Sequence, residues 1–135
     1  IISEIKMDPV TLNPYAHVFY NMGAEGEEGQ SFLGGGLDPE DENLSWLIGL
    51  GAAIDKFSVS VDYAEIGADS CLAALRDPTF GSALGLVDVQ GFKVGMGYKV
   101  TKNFSLAATA YLYEAAERDI DQDPKTYEFD INYKF

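Results

Sequence analysis

In a chain of 135 residues, 22 aspartates and glutamates face 9 lysines and arginines, a net charge of −13, and the places where the acids cluster are the first to test for chemistry. Between positions 23 and 43 lie Glu25, Glu27, Glu28, Asp38, Glu40, Asp41 and Glu42, with no basic residue among them. Such a run is either a solvated acidic loop or a field that concentrates cations. A second candidate is DIDQDPKTYEFD, residues 119 to 130, whose Asp-x-Asp-x-Asp opening is that of a calcium loop. Pro124 stands where that loop needs Gly, and Asp130 where it closes on Glu, so specific calcium binding is not expected. His17 has no second His or Cys at ligand spacing and reads as structural. Cys71 has no paired base in its sequence context and reads as a small apolar filler rather than a nucleophile. With no nucleophile, phosphate loop or metal cluster, no catalytic residue, metal or cofactor is expected, and the chain does not read as an enzyme.

Composition narrows what positions these residues. With 47% hydrophobic and 13% aromatic residues the chain is too apolar for a disordered tail. The acidic balance argues against nucleic acid, because phosphate binding needs basic side chains to release counterions. A single cysteine leaves the redox compartment undecided. The first residues do not read as a basic and apolar leader, and no run of 18 apolar residues could form a transmembrane helix. A membrane location would have to be reached with strands.

Strands are what the pattern predicts. In TYEFDINYKF, residues 126 to 135, Tyr127, Phe129, Ile131, Tyr133 and Phe135 alternate with Glu128, Asp130, Asn132 and Lys134. The same period of two runs through Val10 to Met22, LSWLIGLGAAI (44 to 54), FSVSVDYA (57 to 64), GFKVGMGYKV (91 to 100) and FSLAATAYLY (104 to 113). That makes six strands of about the 9 to 11 residues a tilted membrane strand needs, and residues 1 to 7 read as the tail of a seventh. Tight turns at Asp8-Pro9, Asp55-Lys56 and Thr101-Lys102-Asn103 alternate with long loops at 23 to 43, 65 to 90 and 114 to 126. Short turns at one rim and long loops at the other are the arrangement of a transmembrane β-barrel. Within the second loop, ADSCLAALRDP (68 to 78) suggests one or two helical turns, over or inside a pore or on the surface.

Cost decides which face would meet lipid. A lysine facing lipid at mid-membrane costs roughly 2 to 4 kcal/mol, so Lys93, and Lys99 in the same phase, must point inward. The lumen would then be lined by Asp62, Lys93, Lys99, Thr109, Glu128, Asp130 and Lys134, while Gly49, Gly51, Gly95 and Gly97 leave room for water or an inward loop. Tyr20, Trp46, Tyr63 and Tyr127 toward the long loops, and Phe57, Phe104, Tyr133 and Phe135 toward the short turns, would form the interfacial girdles. A soluble antiparallel sheet accounts for alternation strand by strand. It requires Val94, Met96 and Phe129 to be covered by a second layer.

The stretch from 63 to 119 resembles a family of bacterial outer-membrane porins. The pieces that carry the likeness are Tyr63-Ala64, Cys71 to Leu75, Asp77 to Gly81, Gly97-Tyr98, Lys102-Asn103 and Leu106 to Ala108. The final strand is similar to the closing strand of outer-membrane barrels, where a terminal aromatic is read by the barrel-assembly machinery. Family members are longer than this chain, and Cys71 and Leu84 to Leu86 do not match their pattern. The expectation is therefore an all-β fold: residues 1 to 135 as one segment of a larger antiparallel transmembrane β-barrel, its C-terminal part, with about six strands and a partial one. Its implied role is an outer-membrane channel for diffusion of ions and small hydrophilic solutes, with weak cation preference. Its implied partners are outer-membrane lipid and lipopolysaccharide, the assembly machinery and other copies of the chain, as in a trimer. The alternative is a structural or adhesive barrel that anchors a surface layer or partner through its acidic loops.

Overall fold

A computed structural model describes residues 3–26, 31, 37–70, 79–84, 87–117 and 123–135. Among these, seven antiparallel strands form a single sheet whose spatial order equals the order in the chain: β1 (Ile5–Met7), β2 (Val10–Tyr20), β3 (Leu44–Ile54), β4 (Phe57–Ile66), β5 (Val89–Lys99), β6 (Phe104–Ala115) and β7 (Lys125–Tyr133). The sheet is open, with β1 and β7 at its edges. The only helical element among the described residues is a short 3-10 turn at Ser82–Leu84. The barrel expectation is met at its coarser level, all-β and antiparallel; a closed wall is not seen.

The strand limits differ from the sequence reading mainly at the long-loop rim. β4 runs on to Ile66, β5 starts at Val89 and β6 continues to Ala115, because Ile66, Val89 and Ala115 form one further ladder row. The alternation had been lost there, since Glu65 and Gln90 occupy the apolar phase. At the opposite rim Asp55-Lys56 is a two-residue hairpin turn, with Asp55 at φ 48, a left-handed conformation Asp tolerates. The Thr101 turn is closed by Thr101 N donating to Phe104 O, and Asp8-Pro9, a cis bond, links β1 to β2.

Register puts each alternating set on one face. Leu12, Ala52, Val59, Met96, Ala108 and Phe129 form one row; Pro14, Leu50, Val61, Val94, Ala110 and Tyr127 form the next. This apolar face is bare: Met96 is 53% and Phe129 81% exposed, and Ile48, Leu50, Val61 and Ile131 are exposed with them. No second layer covers it among the described residues, and Val94 is only half-buried. The core lies on the other face. Ala64, Phe80, Leu84, Val89, Tyr111 and Tyr113 pack together, joined by Leu47, Ile66 and Ala115. Four of the nine face inward from β3 to β5, namely Leu47, Ala64, Ile66 and Val89; Phe80 and Leu84 come from the loop between β4 and β5. That loop is folded onto the polar face.

Candidate functional site

The polar face is built in rows, and one carries most of its chemistry. Tyr15, Gly49, Asp62, Lys93, Tyr111 and Thr126 lie side by side from β2 to β7. Asp62, only 7% exposed, accepts a hydrogen bond from the Tyr15 hydroxyl across β3. The bond can form because the intervening residue is Gly49, where an added Cβ would run into both the Tyr15 ring and the Asp62 carboxylate. Lys93 pairs with Asp62 in register, and its Nζ lies 5.3 Å from the centroid of the Tyr111 ring, within cation–π range. Tyr111 in turn donates its hydroxyl to Glu128 at 3.0 Å. Glu128 sits one row lower, beside Thr109, and its second oxygen accepts from Thr79 Oγ1 at 2.7 Å. A belt of alternating charge thus crosses the sheet, each charge steadied by an aromatic or hydroxyl neighbour.

Below the belt the wall is smoother. Asn13, Gly51, Ser60, Gly95 and Thr109 form one row, and Thr11, Ala53, Ser58, Gly97, Ala107 and Asp130 the next. These short side chains leave open space of about 360 Å³ over the sheet. Above the belt the space is filled. Phe80 packs on Tyr113 with ring centroids 5.6 Å apart, and Ala83 N donates to the Tyr113 hydroxyl at 3.3 Å.

The rim joins the long loops to one another. Ala68 N donates to a Glu42 carboxylate oxygen at 3.0 Å, Asp69 N to Glu42 O at 3.0 Å and Gly67 N to Leu44 O at 3.0 Å. Ser45 and Ser70 share a hydroxyl contact, and Ser31 donates to Asp69. Asp88, fully buried, accepts from Glu117 N at 2.8 Å through its side chain and from Ala116 N at 3.1 Å through its carbonyl, tying the third loop to the second. Burial raises the Glu42 carboxyl above the ordinary carboxylate range; the Ala68 amide works against this, and the nearby Asp88, Glu117 and Asp69 add to it.

Of the seven wall residues expected from sequence, Asp62, Lys93, Thr109 and Glu128 fall in or beside the belt. Asp130 lies two rows lower than Thr126, and Lys99 at the short-turn end of β5. Lys134 follows β7, its backbone N donating to Asn103 O. The acidic loop is not uniformly solvated: Glu25, Glu40 and Asp41 are exposed, Asp38 is half-buried and accepts from Glu40 N, and Glu42 is buried in the rim. Glu27, Glu28, Cys71 and most of the suggested helical turn at 68 to 78 lie outside the described residues, as do Asp119 and Asp121 of the calcium-like stretch. No group of three or more His, Cys, Asp or Glu fit to hold a metal occurs among the described residues. Expected girdle residues cluster on the apolar face. Trp46, Tyr63 and Phe92 form a run with centroids 5.4 and 4.9 Å apart, Phe104 pairs with Tyr133 in register, and the Tyr133 and Phe135 rings are 5.1 Å apart.

Tyr15, Tyr111 and Thr79 were not singled out by sequence, although the first two lie in the polar phase. The usable signal was Tyr in a phase otherwise held by Gly, Ser and charged residues. No family model, curated protein or solved structure matches the chain. The likeness to porins therefore rests on the residues quoted above.

Proposed function

We propose that this sheet is part of the wall of an outer-membrane β-barrel whose polar face lines a water-filled path for ions and small hydrophilic solutes. The observation that carries the reading is the division of the sheet: a bare apolar face across all its long strands, backed by a polar face whose charges are held in a hydrogen-bonded belt. In water so large an apolar patch would be a liability. Against hydrocarbon it is the required surface, and β2 to β6 are each paired on both sides, as lipid demands of a strand's backbone. Asp62 and Glu128 against Lys93, with the acidic loop beyond, support a weak preference for cations.

The test is planar-bilayer recording of the protein as purified from membranes. Stepwise ion conductance is expected, with a reversal potential in a salt gradient displaced modestly toward cation selectivity and moved toward neutrality by Asp62→Asn. Absence of conductance, or clear anion preference, overturns the channel role.

A second reading has its own observation. The loop between β4 and β5 is packed on the polar face through Phe80 and Leu84, as a plugged structural or adhesive barrel would require. That reading expects no conductance from the wild-type protein and appearance of conductance when the loop is loosened.

A further inference from the structure

We propose that a cavity at the long-loop rim of the apolar face binds the headgroup of a zwitterionic phospholipid, one that carries both an ammonium and a phosphate. The inference rests on the membrane reading and adds a ligand class to it. The cavity measures about 280 Å³. Its floor is a single ladder row, Tyr63, Phe92 and Leu112, with Lys125 as the next member of that row. Gln90 and Glu114 stand one row closer to the rim, and Asp123 and Pro124 close the side.

The polar groups are arranged to leave charge available. The Tyr63 hydroxyl donates to Gln90 Oε1 at 3.2 Å, and Gln90 Nε2 donates to Glu114 Oε1 at 3.0 Å, which fixes the Glu114 carboxylate while leaving it further acceptor capacity. Among the described residues neither the Asp123 nor the Lys125 side chain has a hydrogen bond or ion pair, and both residues are exposed. Two carboxylates and one ammonium thus border an aromatic floor. A cationic headgroup group finds Glu114, Asp123 and the ring faces of the floor; a phosphate finds Lys125. A purely anionic headgroup would meet two carboxylates for one lysine, and a neutral sugar would leave Lys125 unmatched. The floor decides between a lipid and a free zwitterion. Phe92 and Leu112 are exposed and continuous with the bare apolar face, so acyl chains leaving the cavity would cover surface that a soluble ligand leaves wet.

Trp46 is the one tryptophan of the chain, and its ring lies 5.4 Å from that of Tyr63 in the cavity floor, so its emission reports from beside the cavity. The experiment titrates the detergent-solubilised protein with dihexanoyl phosphatidylethanolamine, dihexanoyl phosphatidylglycerol and phosphorylethanolamine. A saturable change in Trp46 emission is expected for phosphatidylethanolamine, at a midpoint about fivefold or more below that for phosphatidylglycerol, with no change from phosphorylethanolamine. Glu114→Gln should shrink the preference to less than about twofold, whereas Lys125→Gln, which removes the partner of a phosphate that both lipids carry, should raise both midpoints about fivefold or more, with heat-dependent gel migration retained in both variants. Equal midpoints for the two lipids, no emission change, a response to phosphorylethanolamine matching the lipid's, an undiminished preference in Glu114→Gln, or unchanged midpoints in Lys125→Gln overturns the proposal. Partition of the protein into the aqueous phase on detergent phase separation would instead overturn the membrane reading on which it rests.

Discussion

At the scale of single residues, Glu42 is the clearest case of environment changing what an acidic side chain does. Its neighbours in sequence, Glu40 and Asp41, are exposed, whereas Glu42 is buried and accepts from the Ala68 amide. Burial raises its carboxyl, with Asp88, Glu117 and Asp69 adding to the effect. A group whose folded pKa lies above its unfolded value holds its proton more tightly in the folded state. The contribution of Glu42 to the rim is therefore fully present below the ordinary carboxylate range and is lost as pH rises from there through the raised value. Thermal unfolding followed by tyrosine absorbance across that window should show the fall in wild type. Glu42→Gln, which keeps an acceptor for Ala68 and loses the charge, should flatten it; an unchanged slope would refute the assignment. Sequence placed Glu42 in an acidic run and could go no further, because its burial depends on Gly67 and Ala68 returning from 25 or more positions along the chain.

At the scale of elements, strands were legible and the inward loop was not. Alternation grouped the residues that share a face in every long strand, since a period of two survives whatever the partner. The tight turns fixed the pairing of β3 with β4 and of β5 with β6. Loop placement depends instead on side chains with no period: Phe80 and Leu84 fill the space over Tyr113 and Val89, and Thr79 reaches Glu128. The glycines of the polar phase indicated that room existed. They could not say which loop would use it. Truncating Phe80 or Leu84 to alanine removes a buried side chain worth about 2 to 5 kcal/mol in a well-packed core. Both variants should leave the sheet assembled and make the β4–β5 loop at least about tenfold more sensitive to added protease. A double variant cleaved no faster than wild type would show that the loop is held by other contacts.

At the scale of the whole molecule, the two faces of one sheet make opposite demands on substitution. Met96 and Gly95 are neighbours in β5, yet Met96 is in the bare apolar row and Gly95 in the polar one. In a bilayer Met96→Lys should cost roughly 2 to 4 kcal/mol and impair insertion, whereas Thr109→Lys, in the row of Gly95, should cost well under half as much. Urea unfolding in lipid vesicles measures the difference. Equal effects would place both faces in water. The orientation behind this expectation was readable in the sequence from Lys93 alone, because one charge in a strict alternation assigns the whole strand. The belt was only partly readable: Asp62, Lys93 and Glu128 announced themselves by charge, while Tyr15 and Tyr111 needed the ladder register that brings them alongside.

Strand order in space repeats strand order in sequence without a single crossover. Each ladder can consequently form as soon as its second strand is available, hairpin after hairpin, with no segment threaded through another. The sheet can grow by accretion at one margin, so the entropy lost at each step is that of closing a single connection rather than of searching for a distant mate.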